Sequence, residues 1–367
     1  MKVRLLPLAI SAAIAMPSIA LADGPTVYGK FNVAFGTQKY DYGYDAGYTT
    51  TKNTADDWTM TSYASRLGVK GSETINEDLS AIYQAEYEID PTGDGTVFKQ
   101  RTIFAGLKGG WGAFKAGYMD SPLKSSQGKI DQFNDTSGDL TGIFLGENRT
   151  SHTLMYSSPK MSGLQADIAI MPGQQLDSGQ PNAKSGPAES ASIDVNYTMD
   201  NLYVALAHDS KVKSTFNYGV KNTVDAISKS DGYSFNTTRL TGVFTMDALQ
   251  LGAMYQTAST EDKVSFTDSL GNTYNNIDID QDGFLLSASY KIGQIKLKGQ
   301  YGASDTKAKT SPDVKVKNTL AAIGADYDLS KQTSFYVHYT DVAYKLDETG
   351  GKDQKKTVLD FGMVHNF

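Results

Sequence analysis

Along most of this chain the apolar residues recur at every second position. Leu79, Ala81, Tyr83, Ala85 and Tyr87 alternate with Ser80, Ile82, Gln84, Glu86 and Glu88. Leu164, Ala166, Ile168 and Ile170 alternate with Gln165, Asp167 and Ala169, and Ile295, Leu297, Gly299 and Tyr301 with Lys296, Lys298 and Gln300. The last residues follow the same rule, Leu359, Phe361, Met363, His365 and Phe367 against Val358, Asp360, Gly362, Val364 and Asn366. A period of two predicts strands with one apolar and one wet face, and no stretch carries the 3.6 period of an amphipathic helix. Tyr, Phe, Val, Ile and Thr dominate these stretches, as strand packing favours.

The connections sharpen the prediction. Short turn-like links at 73–78, 109–112, 158–163, 199–201, 246–248, 292–294 and 328–332 interleave with longer polar ones. The longer ones lie near 37–61, 90–98, 119–150, 172–189, 209–232, 257–282, 302–316 and 341–356. Seven turns and eight loops in strict alternation imply 16 strands. In an up-and-down sheet every long loop then falls at one end. That asymmetry predicts an all-β, 16-stranded antiparallel transmembrane β-barrel with long external loops and short periplasmic turns. A secreted β-sandwich also alternates, but has no reason to sort loop length by parity.

The amino terminus reads as an address. Lys2 and Arg4 precede an apolar run from Leu5 to Ala15, and Ala20-Leu21-Ala22 supplies a small-x-small cleavage site. Cleavage is expected between Ala22 and Asp23, so that residues 1–22 form a signal peptide and 23–367 a single barrel domain. A membrane anchor would need about 20 apolar residues, and Pro7, Pro17 and Ser18 interrupt the run.

Composition then narrows the chemistry. The 367 residues carry 34 basic and 41 acidic side chains, a net charge of -7, the wrong sign for a phosphate-binding surface, so no nucleic acid is expected as partner. The chain has no cysteine, which excludes disulfides, thiolate metal sites and cysteine nucleophiles. A mean hydropathy of -0.37 looks soluble only because pore-facing and lipid-facing residues cancel in the average.

Four segments in order carry a family resemblance: "VYGKF" (27–31), "SRLGVKGSETINEDLSAIYQAEY" (65–87), "RTIFAGLKGGWGAFKAGY" (101–118) and the terminal "VLDFGMVHNF". They resemble the Gram-negative general porins over the first third of the chain and its end. Between these, only the rhythm of strands and loops matches. The resemblance implies a homotrimer in outer-membrane lipid and lipopolysaccharide, with a water-filled pore for ions and small hydrophilic solutes. It implies a third loop, 119–150, folded into the lumen, where basic wall residues face acidic loop residues. Lys30, Arg66, Arg101 and Arg149 correspond to the basic wall, and Glu86 to an acid beside it. The family's Pro-Glu-Phe-Gly-Gly turn is absent, so the loop acids Asp131, Asp135, Asp139 and Glu147 are all candidates for the other side. The terminal His-x-Phe resembles the signal read by the barrel-assembly machinery, which makes Phe367 an assembly residue.

The local pattern supports part of this assignment. In "SRLGVKG", Leu67 and Val69 take the lipid face, so Arg66 and Lys70 point inward; an arginine in hydrocarbon at mid-depth would cost about 2–4 kcal/mol. For Arg101 the alternate residues Thr102, Phe104 and Gly106 are only weakly apolar. The chain-wide charge predicts mild cation preference, opposed by the basic wall. Other chemistry is discounted. "DIDQDG" (278–283) opens like an EF-hand loop, but its twelfth position would be Ser289, although its acids could bridge divalent ions to lipopolysaccharide. His152, His208, His338 and His365 show no metal-ligand spacing and no nucleophile motif surrounds them, so neither cofactor nor enzyme activity is expected. "GGWG" is a turn, since no helix follows it. A substrate-selective channel of the same architecture and a secreted adhesive β protein are the competing functions.

Overall fold

The computed structural model describes residues 24–41, 54–93, 95, 97–173, 186–214, 233–267, 273–310, 313–346 and 353–367. Ala22 and Asp23, the expected cleavage site, lie outside the described residues. The first half of the chain forms β1 (Thr26–Asp41), β2 (Thr54–Ser62), β3 (Arg66–Asn76), β4 (Leu79–Glu88), β5 (Lys99–Gly109) and β6 (Gly112–Asp120). It continues with β7 (Arg149–Ser157), β8 (Leu164–Met171), β9 (Ser190–Met199) and β10 (Leu202–Ser214). The second half forms β11 (Tyr233–Met246), β12 (Leu249–Thr260), β13 (Val264–Thr267), β14 (Thr273–Ile277) and β15 (Ile279–Ile292). It ends with β16 (Ile295–Ala308), β17 (Val314–Asp328), β18 (Thr333–Leu346) and β19 (Gln354–Asn366).

Each barrel strand pairs antiparallel with its neighbours, and β1 pairs with β19 from Lys30↔Asn366 to Asp41↔Lys355. Gly29 and Phe367 exchange backbone bonds at 2.9 and 3.1 Å. The sheet therefore closes without a free edge, as a lipid environment requires. β2 and β3 are two halves of one barrel strand, since both pair with β1; β13 and β14 form a separate hairpin in the loop after β12. That leaves the expected closed barrel of 16 antiparallel strands.

The outer face is a continuous apolar band. Leu206, Leu240, Tyr255 and Phe284 are paired partners on successive strands, and all are exposed. Opposite residues of the same strands, such as Arg239, Thr241, Gln256 and Ser287, are buried inside. Alternation thus sorts lipid-facing from interior positions.

Two irregularities re-aim side chains, as bulges do. Between β2 and β3, Tyr63-Ala64-Ser65 occupies one position more than β1 supplies opposite, and Ala64 takes φ +49°. Ser65 fills the gap by bonding both Asn32 N and Asn32 O, while Tyr63 turns inward to donate to Asp360 at 2.6 Å. In β5 the register slips opposite Glu86, so Ala85 faces Ile103 but Tyr87 faces Gln100. Arg101 and Phe104 consequently both point into the barrel. Period-two reading puts Phe104 on the lipid face; the bulge corrects it, and Phe104 packs on the interior cluster Met119, Met155, Ala169, Met171 and Val212.

The strands also run further at the loop end than their apolar pattern. β16 and β17 leave only 309–313 between them where 302–316 reads as loop, because strand beyond the hydrocarbon has no apolar face to betray it.

Candidate functional site

The long connection between β6 and β7 folds into the barrel. Its first turn is a short helix, α1 (Pro122–Ser125), where Ser121 caps Lys124 N at 3.1 Å and proline sits in the first turn. A four-residue helix is too short to register as a helical period. Loop residues Leu123, Ile130, Phe133, Leu140, Ile143, Phe144 and Leu145 are all buried. Ile130 and the run from Leu140 to Leu145 pack on interior side chains of the wall, among them Phe235, Met254, Leu285, Leu320 and Val342. Each such side chain contributes about 1.5–3 kcal/mol when fully buried, so the loop is a packed layer on part of the interior wall rather than a free flap.

Polar ties follow the same wall. Ser192 accepts from Leu123 N at 3.1 Å, Gln300 from Gln132 N at 2.9 Å, and Gln281 from Leu145 N at 3.1 Å. Tyr344 donates to Gly142 O at 3.0 Å, and Ser137 bonds Asp360 at 3.1 Å. Phe133 lies under the Lys298 ammonium at 4.7 Å and edge-on to His338 at 5.0 Å. From Leu123 to Ser137 the loop visits β9, β12, β16, β18 and β19 in turn, and from Gly142 to Leu145 it returns past β18 and β15.

At its tip Asp135 meets the basic residues of β1, β3 and β5. Its carboxylate lies 3.1 Å from Lys30 Nζ, in direct hydrogen bond with Arg66 Nη2, and 4.0 Å from Arg101 Nη2. Arg101 Nε donates to Glu86 at 2.7 Å and its Nη1 to Glu88 at 3.3 Å; Arg66 Nη1 is 3.8 Å from Glu86. Tyr28 donates a further bond to Glu86 at 2.9 Å. Burial alone would raise the Asp135 carboxyl, but Lys30, Arg66 and Arg101 outweigh it and hold it below the usual carboxylate value. Asp135 sits at φ +63°, a conformation Asp tolerates better than most residues, and its N–H donates to Asp139 Oδ2 at 2.7 Å. The backbone is therefore turned to aim this carboxylate at the wall.

Of the residues expected in the site, the structure brings together Lys30, Arg66, Arg101, Glu86 and Asp135. The other four stand apart. Arg149 pairs at 2.8 Å with Asp120 at the neck of the loop, where Lys124 also reaches Asp120 at 3.3 Å. Asp131 fastens the loop internally, accepting from Phe133 N, Leu140 N and Gln300 Nε2 at 2.9–3.0 Å. Asp139 caps the 3-10 turn Leu140–Gly142 through Thr141 N at 2.8 Å. Glu147 corrects the expectation most sharply: it is buried beneath the loop, 2.6 Å from Arg239, whose side chain has no exposed surface. A pair closed off in this way faces no lumen.

Arg239 was not singled out by the sequence. It donates to Gln256 Oε1 at 2.8 and 2.6 Å and to Leu123 O at 3.3 Å, and Gln256 donates to Leu145 O at 2.8 Å. These bonds clamp both arms of the loop to β11 and β12. Its signal was present, since an arginine alternating with Leu240 on a spanning strand must face inward for the reason that applies to Arg66.

No group of His, Asp and Glu able to hold a metal occurs among the described residues, and no described helix is long and apolar enough to cross a membrane. A family profile described as "Gram-negative porin" matches residues 9–348. The major outer membrane protein P.IB of Neisseria gonorrhoeae is 25% identical over 346 residues, 92% of each chain. Among solved structures, the anion-selective porin from Comamonas acidovorans superposes with a TM-score of 0.64 at 18% identity, covering 94% of this chain and all of its own. The trimer form of OmpT from Vibrio cholerae gives 0.61 at 16% identity, over 94% and 99% of the two chains.

Proposed function

The chain belongs to the Gram-negative porin family, and on that premise we propose how its barrel passes solutes. It is an outer-membrane porin, a channel for passive diffusion of ions and small hydrophilic molecules. We infer that the third loop narrows this channel, with Lys30, Arg66, Arg101, Glu86 and Asp135 fixing the loop tip to the wall beside the passage. The observation that carries this reading is the loop itself, packed on the interior of a closed barrel and tied by Asp135 to strands at the opposite end of its path. Because the loop hugs β9 to β19, the passage runs between its exposed edge, with Lys129 and Asn134, and the inner face of β3 to β8. Solutes move down their gradients, and charged walls sort ions by local potential. No proton transfer or bond cleavage enters this mechanism.

The protein assembles as a homotrimer in this reading; one solved neighbour has been described in trimer form. Residues 1–22 direct export and are removed before Asp23. Phe367, beside Gly29 at the closing seam, serves recognition by the barrel-assembly machinery, and external acids contact lipopolysaccharide through divalent ions. Liposome swelling with sugars of graded size tests the function: the rate should fall smoothly with solute size, irrespective of sugar identity. Uptake confined to one sugar would instead indicate a substrate-selective channel.

A further inference from the structure

The chain carries a net charge of -7, yet its negative charge is not what the passage presents. All four loop acids are engaged: Asp131 by three N–H donors, Asp135 by Lys30 and Arg66, Asp139 by loop donors and Glu147 by Arg239. Three acids at the loop end of the barrel are paired as well, Asp278 with Lys263, Asp280 with Lys309 and Asp313 with Lys307. Lysines inside are less fully matched. Lys129 is exposed on the loop and has no ion pair among the described residues. Lys296, on the inner face of β16, has none either.

These two share one place. Lys296 lies four residues closer to the periplasmic turn than Gln300, which binds the loop at Gln132, hence about 13 Å lower along the strand. Gln132 Nε2 donates both to Lys129 O at 3.0 Å and to Gln250 Oε1 at 2.6 Å, and Gln250 is the second residue of β12 after its periplasmic turn, so Lys129 stands at the low, periplasmic side of the loop. Asp326 lies directly across from Lys296 on β17 but is bonded to Lys298 at 3.0 Å and His338 at 2.8 Å, and Asp328 is paired with Lys291 at 2.8 Å, so one carboxylate is shared between Lys296 and Lys298. Across the lumen Lys115 lies over the Phe104 ring and Lys70 over the Tyr28 ring. Asp167 and Asp194, partners across β8 and β9, are acids of the inner face without an ion pair among the described residues. They stand five and six strands away from β16 in the sheet order, about 24 Å or more along the wall, well beyond a Debye length of about 8 Å.

We propose that Lys129 and Lys296 are the ion-sorting residues of the channel and give it a preference for small anions. A negative chain thereby acts as an anion-preferring pore, because the acids of its third loop are all engaged while this pair of lysines borders the path. The inference rests on the channel reading, and its test separates the two. Wild-type protein in a planar bilayer under a potassium chloride gradient should show a reversal potential favouring chloride. Lys129→Glu should lower the chloride-to-potassium permeability ratio about threefold, the effect of a two-unit charge change acting on an ion about one Debye length (about 8 Å) away in screened water. Lys129→Gln should lower it by about half as much on a logarithmic scale, and K129E with K296E should favour potassium. K309E, at the rim, should leave the ratio unchanged. Conductance with wild-type potassium preference, or with a ratio insensitive to both Lys129 variants, would overturn the proposal. Absence of any conductance would overturn the channel reading beneath it.

Discussion

Replacing Asp135 by asparagine removes the one charge that ties the loop tip to the wall. The side chain bonds Lys30 and Arg66 with all three groups about one-fifth exposed, 18% in each case. Charge-assisted hydrogen bonds contribute about 1.5–3 kcal/mol apiece, and partial solvation argues for the lower figure. Two such bonds give about 3 kcal/mol, or roughly a 150-fold shift toward an undocked tip. The loss stays local. Gln132 remains bonded to Gln300 and Gln250, Phe133 stays between Lys298 and His338, and Ser137 still reaches Asp360. Only residues 134–136 should loosen, while Lys30 and Arg66 lose their counter-charge. Hydrogen exchange of a peptide spanning 131–142 should speed up in D135N, and single-channel records should show added open-state noise and a shift toward chloride. If exchange, noise and reversal potential all match wild type, the tether is not what holds the tip.

Other predictions follow the same contacts. Arg239→Ala leaves Glu147 buried without its partner and should destabilise the loop by about 3–5 kcal/mol, read as earlier thermal loss of native conductance with the barrel still folded; an unaltered midpoint would contradict the clamp. Asp135 has a lowered pKa in the folded protein, so its stabilising contribution is complete above the ordinary carboxylate value of about 3.9 and is lost as pH falls through the lowered one. Loop-tip noise should therefore rise only below about pH 4, and a rise between pH 5 and 7 would refute this assignment. Deleting Phe367 should reduce assembled, heat-modifiable protein several-fold, whereas an unchanged yield would dismiss its role in assembly.

Most short turns are legible to within a residue; the link read at 73–78 is the exception, since β3 runs to Asn76 and β4 starts at Leu79. Links read at 158–163, 199–201, 246–248 and 292–294 match strands that end at Ser157, Met199, Met246 and Ile292 or one residue within them. There the apolar alternation runs up to the turn, so local pattern suffices. At the other end it fails, as between β16 and β17, because strands outside the hydrocarbon alternate polar with polar. Arg66 could be oriented from its neighbours Leu67 and Val69, but Phe104 could not, since the bulge opposite Glu86 is set by pairing with β4. The site was legible where a charge interrupts a regular strand, as at Lys30, Arg66 and Glu86. Within the loop no period exists, so nothing local distinguishes Asp135, aimed at the wall by its positive φ, from Glu147, buried on an arginine 92 positions away.

The central claim is that this barrel encloses an aqueous path past a fixed loop. Purified protein added to a planar bilayer tests it most directly. Stepwise, ohmic current increments, each reduced in proportion to bulk conductivity when small neutral sugars enter the bath, are the predicted result. Bilayers that stay silent despite inserted, heat-modifiable protein would contradict it.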